Sequence, residues 1–207
     1  MVRIFINDFI TLLVAIDPIG TVPLLTAMTR AMKADARKSL VLRGVMIATI
    51  VLLSFAIFGN FLLRSMGISF SSFRIAGGII LFIVGLQMVF QDHAEEMKPE
   101  TGDAAGRDVA VFPLALPYIA GPGAMLATMV QTQGMMETPG LFAMKLGALL
   151  LVMLVSLVTL LSTAKLNKIL GRTGSEVIAR VMGILLAALA AESVVRGILE
   201  AIGKTPV

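Results

Sequence analysis

Apolar residues run along this chain in long stretches separated by short polar ones. A membrane-spanning helix needs about 20 mostly apolar residues, and six stretches reach that length, roughly 4–28, 41–63, 70–90, 109–131, 141–164 and 177–199. The first begins almost at Met1, with no A-x-A-like cleavage site behind a short apolar core, so it reads as a retained span rather than a removed signal peptide. No stretch is left for a soluble domain. The longest polar run, Gln91 to Asp108 (QDHAEEMKPETGDAAGRD), is acidic, holds Pro99 and two glycines, and has no apolar period, so it reads as a solvated linker.

That linker divides the spans three and three. AIDPIGTVP (Ala15 to Pro23) in the first span lies over ALPYIAGPG (Ala115 to Gly123) in the fourth at an offset of 100. GIILFIVGLQ (Gly78 to Gln87) in the third lies over GILLAALAAE (Gly183 to Glu192) in the sixth at an offset of 105. Each half has an odd number of spans, so the second must enter the bilayer upside down relative to the first, the pattern of many secondary transporters. The expected fold is an all-α membrane protein of six transmembrane helices in a single domain over 1–207, with one inverted three-helix repeat at 1–90, the linker at 91–108 and a second repeat at 109–200.

The candidate chemistry lies where two spans break. Pro18, Gly20 and Pro23 interrupt the first; Pro117, Gly121, Pro122 and Gly123 interrupt the fourth at the matching depth. Each proline removes a backbone donor and moves the residue before it away from helical geometry. Spans one and four should therefore unwind at mid-membrane, leaving backbone groups that must face protein or a wet cavity. Pro23 and Pro122 suit the first turn of a restarting half-helix, whose free amides carry partial positive charge. Asp17 is the acid in the first break. It can bind a coupling cation, a proton or a substrate amine, or it can cap its own broken helix through the amide of Gly20 or Thr21. Gln87 and Glu192 match across the repeats and can face a cavity as a pair, or Glu192 can pair locally with Arg196. The substrate or ion-binding set is thus Asp17, Pro18, Gly20, Thr21, Pro23, Ala120, Gly121, Pro122, Gly123, Gln87 and Glu192. Gly183, Ala187 and Ala191 recur every four residues as a packing stripe, and Ser54, Asn60, Ser156 and Thr159 read as helix–helix hydrogen bonds.

Composition narrows the function. The hydrophobic share is 57%, the charged share 14% and the mean hydropathy +0.95, all outside the soluble range. Zero cysteines exclude disulfide and thiolate-metal chemistry, and the lone His93 lies outside the spans without H-E-x-x-H, so neither an enzyme nor a metal cofactor is expected. The net charge of +4 reflects topology rather than nucleic-acid binding. If the spans alternate, the loops after spans one, three and five share a face that holds eleven of the basic residues, including Arg30, Lys33, Arg37, Lys38 and Arg43, against six on the other, which include Arg74, Lys145 and Arg196. This puts those loops in the cytoplasm and both termini in the periplasm. A channel or an exporter for another small solute or ion is the alternative, because broken helices also build pores.

DPIGTVP, GGIILFIVG, PLALPYIAGPGA and RVMGILLAALA resemble the MarC family, also described as six-span neutral amino-acid transporters, over about Phe5 to Gly197. The resemblance implies a multi-pass protein of the bacterial inner membrane, from a group that includes amino-acid exporters, with some members implicated in glycine and alanine transport. The family's D-P-[IV]-G-N-x-P maps onto Asp17 to Pro23 with Thr21 where Asn is usual, and A-G-P-G maps unchanged onto Ala120 to Gly123. The expected activity is secondary transport of a small neutral amino acid, coupled to a proton or sodium gradient, with the lipid bilayer as surroundings. Substrate, direction and oligomeric state, a homo-oligomer included, stay open at this point.

Overall fold

Both proline–glycine clusters end a helix where the sequence places them. In the computed structural model, which describes residues 2–29, 32–90, 110–133 and 138–203, every assigned element is helical. The first apolar stretch is two helices, α1 (Val2–Ile16) and α2 (Thr21–Met28). The fourth is a π-helical segment, π1 (Ala110–Ile119), followed by α5 (Pro122–Thr132). Between them lie α3 (Ala34–Ser65) and α4 (Phe70–Phe90), and after them α6 (Pro139–Leu161) and α7 (Thr163–Ala201). The linker at 91–108, with His93, lies outside the described residues.

Among the described residues four helices are individually long and apolar enough to cross a membrane: α3, α4, α6 and the Arg180–Ala201 part of α7. Two of them outrun their expected limits. The second span begins at Ala34 rather than near 41, and α7 begins at Thr163, so the loop expected after span five shrinks to Ser162. No proline occurs between Pro23 and Pro99 or between Pro139 and Pro206, so neither polar run loses a backbone donor that would break the helix. A true turn joins α3 to α4. There Gly67 takes φ +68° while its amide donates to Arg64 O and that of Ile68 to Leu63 O, a paired motif that uses the last carbonyls of α3.

Pro113 and Pro117 lie within π1 and have no backbone donor to give its ladder. The Ala120 amide reaches back five residues to Ala115 O at 2.9 Å.

The main core gathers Leu12 and Ile16 of α1, Val22 and Leu25 of α2, Leu114 and Ile119 of π1 and Ala124 of α5. It is closed by Val41, Val45, Ala48 and Leu52 of α3 and by Leu149, Val152 and Met153 of α6. Thus the broken stretches sit inside, flanked by two continuous helices. α1 packs against α6 and π1 against α3; α4 packs against α5 and α7 against α2.

α4 and α7 run antiparallel along a seam of small residues. A Cβ on Gly78 would stand 3.1 Å from Ala190 O and 2.8 Å from Val194 Cγ2, and one on Gly183 would stand 2.9 Å from Gly85 O and 3.1 Å from Val89 Cγ2. At the far end Gly197 lies against Ile75, and Arg74 forms an ion pair with Glu200 while its guanidinium sits over the Phe70 ring. The seam departs from the expected stripe at one point: Ala191 is exposed and the contacts move to Ala190 and Val194. A four-residue period drifts about 40° per step from the 3.6-residue turn, which carries position 191 off the contact face.

Candidate functional site

Asp17 is the pivot of the first break. Its backbone takes φ +44°, a left-handed conformation that is uncommon outside glycine but tolerated by aspartate. Its amide closes α1 on Leu13 O at 3.0 Å. Its carboxylate then turns onto the start of α2, where Oδ1 accepts from the Gly20 amide at 2.9 Å. Thr21 Oγ1 donates to Asp17 O at 2.9 Å and so ties α2 back to the end of α1. Asp17, Pro18 and Thr21 are buried. Gly20 has to be glycine: a Cβ there would fall 2.0 Å from Asp17 Oδ2 and 2.7 Å from Met88 Cε. Pro23 occupies the first turn of α2, as its missing donor allows.

The second break is built differently. Gly121 is the N-cap of α5 in an extended conformation, φ −73° and ψ 171°, with no side-chain cap, and Pro122 starts the helix. Ala120 and Gly123 are buried. Gly123 makes a close approach, for a Cβ on it would stand 1.8 Å from Leu81 Cδ1.

One helix therefore touches both breaks. Met88 of α4 covers Gly20 and Leu81 of α4 covers Gly123; the two side chains are seven residues apart on nearly the same face, a separation of about 10 Å along the axis. Leu81 and Met88 join Leu186 and Ala190 of α7 and Val14 of α1 in a second apolar cluster. Sequence reasoning missed this cover, because nothing marks Leu81 or Met88 as different from other apolar residues of the span.

The remaining candidates lie elsewhere. Gln87 is exposed on α4, and Glu192 is exposed on α7 with its carboxylate accepting from Arg196 Nε at 2.5 Å. Both thus lie on exposed helix surface, whereas Asp17 and Gly123 are buried. Ser54 and Ser156 donate to the carbonyls of Ile50 and Val152 on their own helices, not across helices.

A buried network went unread. Lys145 Nζ of α6 donates to Asp8 Oδ2 of α1 at 3.0 Å, and Gln131 Nε2 of α5 donates to Asp8 O at 3.0 Å. Both charged residues are buried. The signal was present, since each lies inside an apolar stretch, where a charge calls for a partner. Among the described residues no group of three or more His, Asp or Glu side chains stands close enough to hold a metal ion.

The family profile described as MarC family integral membrane protein matches residues 2–202. The chain belongs to the MarC family. A UPF0056 membrane protein of Methanocaldococcus jannaschii is 34% identical over 196 residues, covering 94% of this chain and 95% of its own. One from Archaeoglobus fulgidus is 36% identical over 201 residues, with 95% and 92% covered, and one from Buchnera aphidicola subsp. Baizongia pistaciae is 33% identical over 202 residues, with 94% and 92% covered. No solved structure matches the chain. As a MarC family member the protein is an integral membrane protein with several apolar helices.

Proposed function

We propose that this MarC protein is a secondary transporter of small neutral amino acids of the glycine or alanine class, coupled to a proton or sodium gradient, rather than an enzyme or a cofactor-dependent protein. The observation that carries the reading is the pair of helix breaks covered by one helix, Gly20 under Met88 and Gly123 under Leu81, on one side of α4. At the second break the first amides of α5 have no side-chain cap, which suits a carboxylate. At the first break the Asp17 carboxylate supplies negative charge, which suits an ammonium group or a co-transported cation. The α4 side chains that cover the two breaks, Leu81 and Met88, are about 10 Å apart along the axis, so both groups border one stretch of that helix.

Alternating access follows from an inverted repeat in which spans one and four are the α1–α2 and π1–α5 pairs and complete a six-span protein. Two sets of contacts support it. At the offset of 105, Gly78 maps onto Gly183, Gly85 onto Ala190 and Val89 onto Val194, so the two glycine contacts of the α4–α7 seam are one contact repeated. Exchanging the halves also turns the α1–α6 packing into π1–α3 and the α4–α5 packing into α7–α2. The orientation with termini in the periplasm of a bacterial inner membrane gains support as well. Arg74, Lys145 and Arg196 are held in ion pairs within the helices, which leaves three of the six basic residues, Arg3, Arg64 and Lys204, on the outer face against eleven on the inner.

The test is reconstitution into liposomes with labelled alanine and glycine, with and without proton or sodium gradients. Gradient-dependent accumulation is expected. Passage of inorganic ions at channel rates with no amino-acid movement would overturn the reading.

A further inference from the structure

Among the described residues the ion pairs Asp8–Lys145 and Arg74–Glu200 are enclosed, the first fully and the second on the arginine side, whereas Glu192–Arg196 leaves side chains 55% and 47% exposed. We propose that the outer face of α7 around Glu192 and Arg196 is the contact between two copies of this chain, related by a two-fold axis along the membrane normal.

Three features place that pair against something other than lipid. The first is depth. Glu192 lies eight residues before Glu200, about 12 Å along the axis, in a hydrocarbon core of about 30 Å, so it stands near the middle of the bilayer. The second is direction. Glu192 follows the seam residue Gly183 by nine positions, about half a turn beyond two full turns, so it points directly away from α4. Helical side chains lean toward the N-terminus, and Arg196 accordingly lies back onto Glu192, deeper into the membrane, instead of reaching out to the near surface. The third is the surrounding relief. Ala188 and Ala191 are exposed beside the pair and leave a shallow strip of small residues, the kind of surface at which two membrane helices approach closely.

A second copy satisfies this face because the pair carries both signs. A two-fold axis sets identical patches against each other, so each Glu192 can accept from the Arg196 of the other copy while keeping its own, and the five donors of a guanidinium allow both. The apolar flank of Val181, Leu185 and Val195 would close over the charges. The inference is independent of what the protein transports.

The cysteine-free chain makes the test direct. Single cysteines at Ala188 and Ala191 are oxidised in native membranes, with Ile80→Cys on the exposed side of α4 as the control. Disulfide-linked pairs from α7 and none from α4 are expected. In parallel, the molar mass in nanodiscs is compared for the wild type and for Glu192→Leu/Arg196→Leu, a double variant that leaves no charge unpaired and suits lipid. The wild type should hold two copies and the variant one, with helical content unchanged. A single-copy wild type, equal cross-linking from position 80, or an undiminished two-copy mass in the double variant would overturn the assignment.

Discussion

Asp8 and Lys145, separated by 137 positions in the chain, meet at 3.0 Å as a buried ion pair, and Gln131 fastens the backbone of the same aspartate. Three helices, α1, α5 and α6, are thereby joined at one end of the bundle. Two of the three, α1 and α5, are halves of broken stretches, so the network anchors at a distance the segments whose other ends are free to unwind.

Breaking this pair from one side leaves a buried charge with no partner. Asp8→Asn or Lys145→Met alone should lower stability by about 3–5 kcal/mol, while Asp8→Leu combined with Lys145→Met should recover most of the loss. Thermal unfolding in detergent, followed by circular dichroism, separates the outcomes. Equal losses in the single and double variants would show that packing and not charge pairing sets the value.

The first break gives a second test. Asp17→Asn keeps an acceptor for the Gly20 amide, and Asp17→Gly keeps the left-handed backbone; both should leave a folded protein. Alanine transport in liposomes should fall about tenfold or more in each, the scale of losing one charge-assisted hydrogen bond. Gly20→Ala, which drives a Cβ into Asp17 Oδ2 at 2.0 Å, should impair both folding and transport. Full transport in Asp17→Asn with unchanged ion dependence would reduce the carboxylate to a helix cap.

The α4–α7 seam predicts a contrast between its glycines and Gly123. At Gly85 and Gly183 the nearest atoms to an added Cβ include backbone, at 2.8–2.9 Å, and backbone cannot move aside. At Gly123 they belong to the end of the Leu81 side chain. Gly183→Ala should therefore cost about 1–3 kcal/mol, and no side-chain truncation on α4 should restore it, whereas Leu81→Ala should relieve Gly123→Ala. Unfolding midpoints of the four variants check the pattern.

Topology is open to labelling with an impermeant thiol reagent in intact cells. A cysteine at exposed Ser39 near the start of α3 should be shielded, and one at exposed Ser69 in the α3–α4 turn should react from outside. The reverse result inverts the protein in the membrane.

Competition defines the substrate. Against labelled alanine, glycine should compete, while alaninamide and propionate, each lacking one charge, should compete about tenfold or more weakly. Equal competition by all three compounds would remove the requirement for a zwitterion.

The positions of both breaks were legible because proline and glycine act on their immediate neighbours. Pro18 to Pro23 and Pro117 to Gly123 end and restart helices without any help from the rest of the fold. The π winding of Ala110–Ile119 was not legible, since the same two prolines could have kinked an α-helix and the choice depends on what α3 packs against. Gly44 illustrates that dependence: a Cβ there would sit 2.7 Å from Leu114 Cδ2 of π1. Asp8 and Lys145 announced that each needed a partner, but the identity of that partner is a matter of tertiary approach, which periodicity does not carry. Gln87 and Glu192 show the converse limit. Their matching positions came from the repeat, yet both point away from the seam that the repeat builds.

α7 has a mechanical consequence. Its 39 residues extend about 58 Å, close to twice the hydrocarbon thickness of about 30 Å. The glycine contacts of the seam with α4 fall between Gly183 and Gly197, and from there the helix runs as one unbroken rod back to Thr163, which is buried, with Leu166 packed on the main core. A rocking of the seam by about 10° would swing the far end of that rod, about 30 Å away, through some 5 Å. The helix is thus a lever with its fulcrum in the membrane, and Ser162 couples its long arm to α6. A distance probe placed near that joint would register movements in the bilayer interior at enlarged scale.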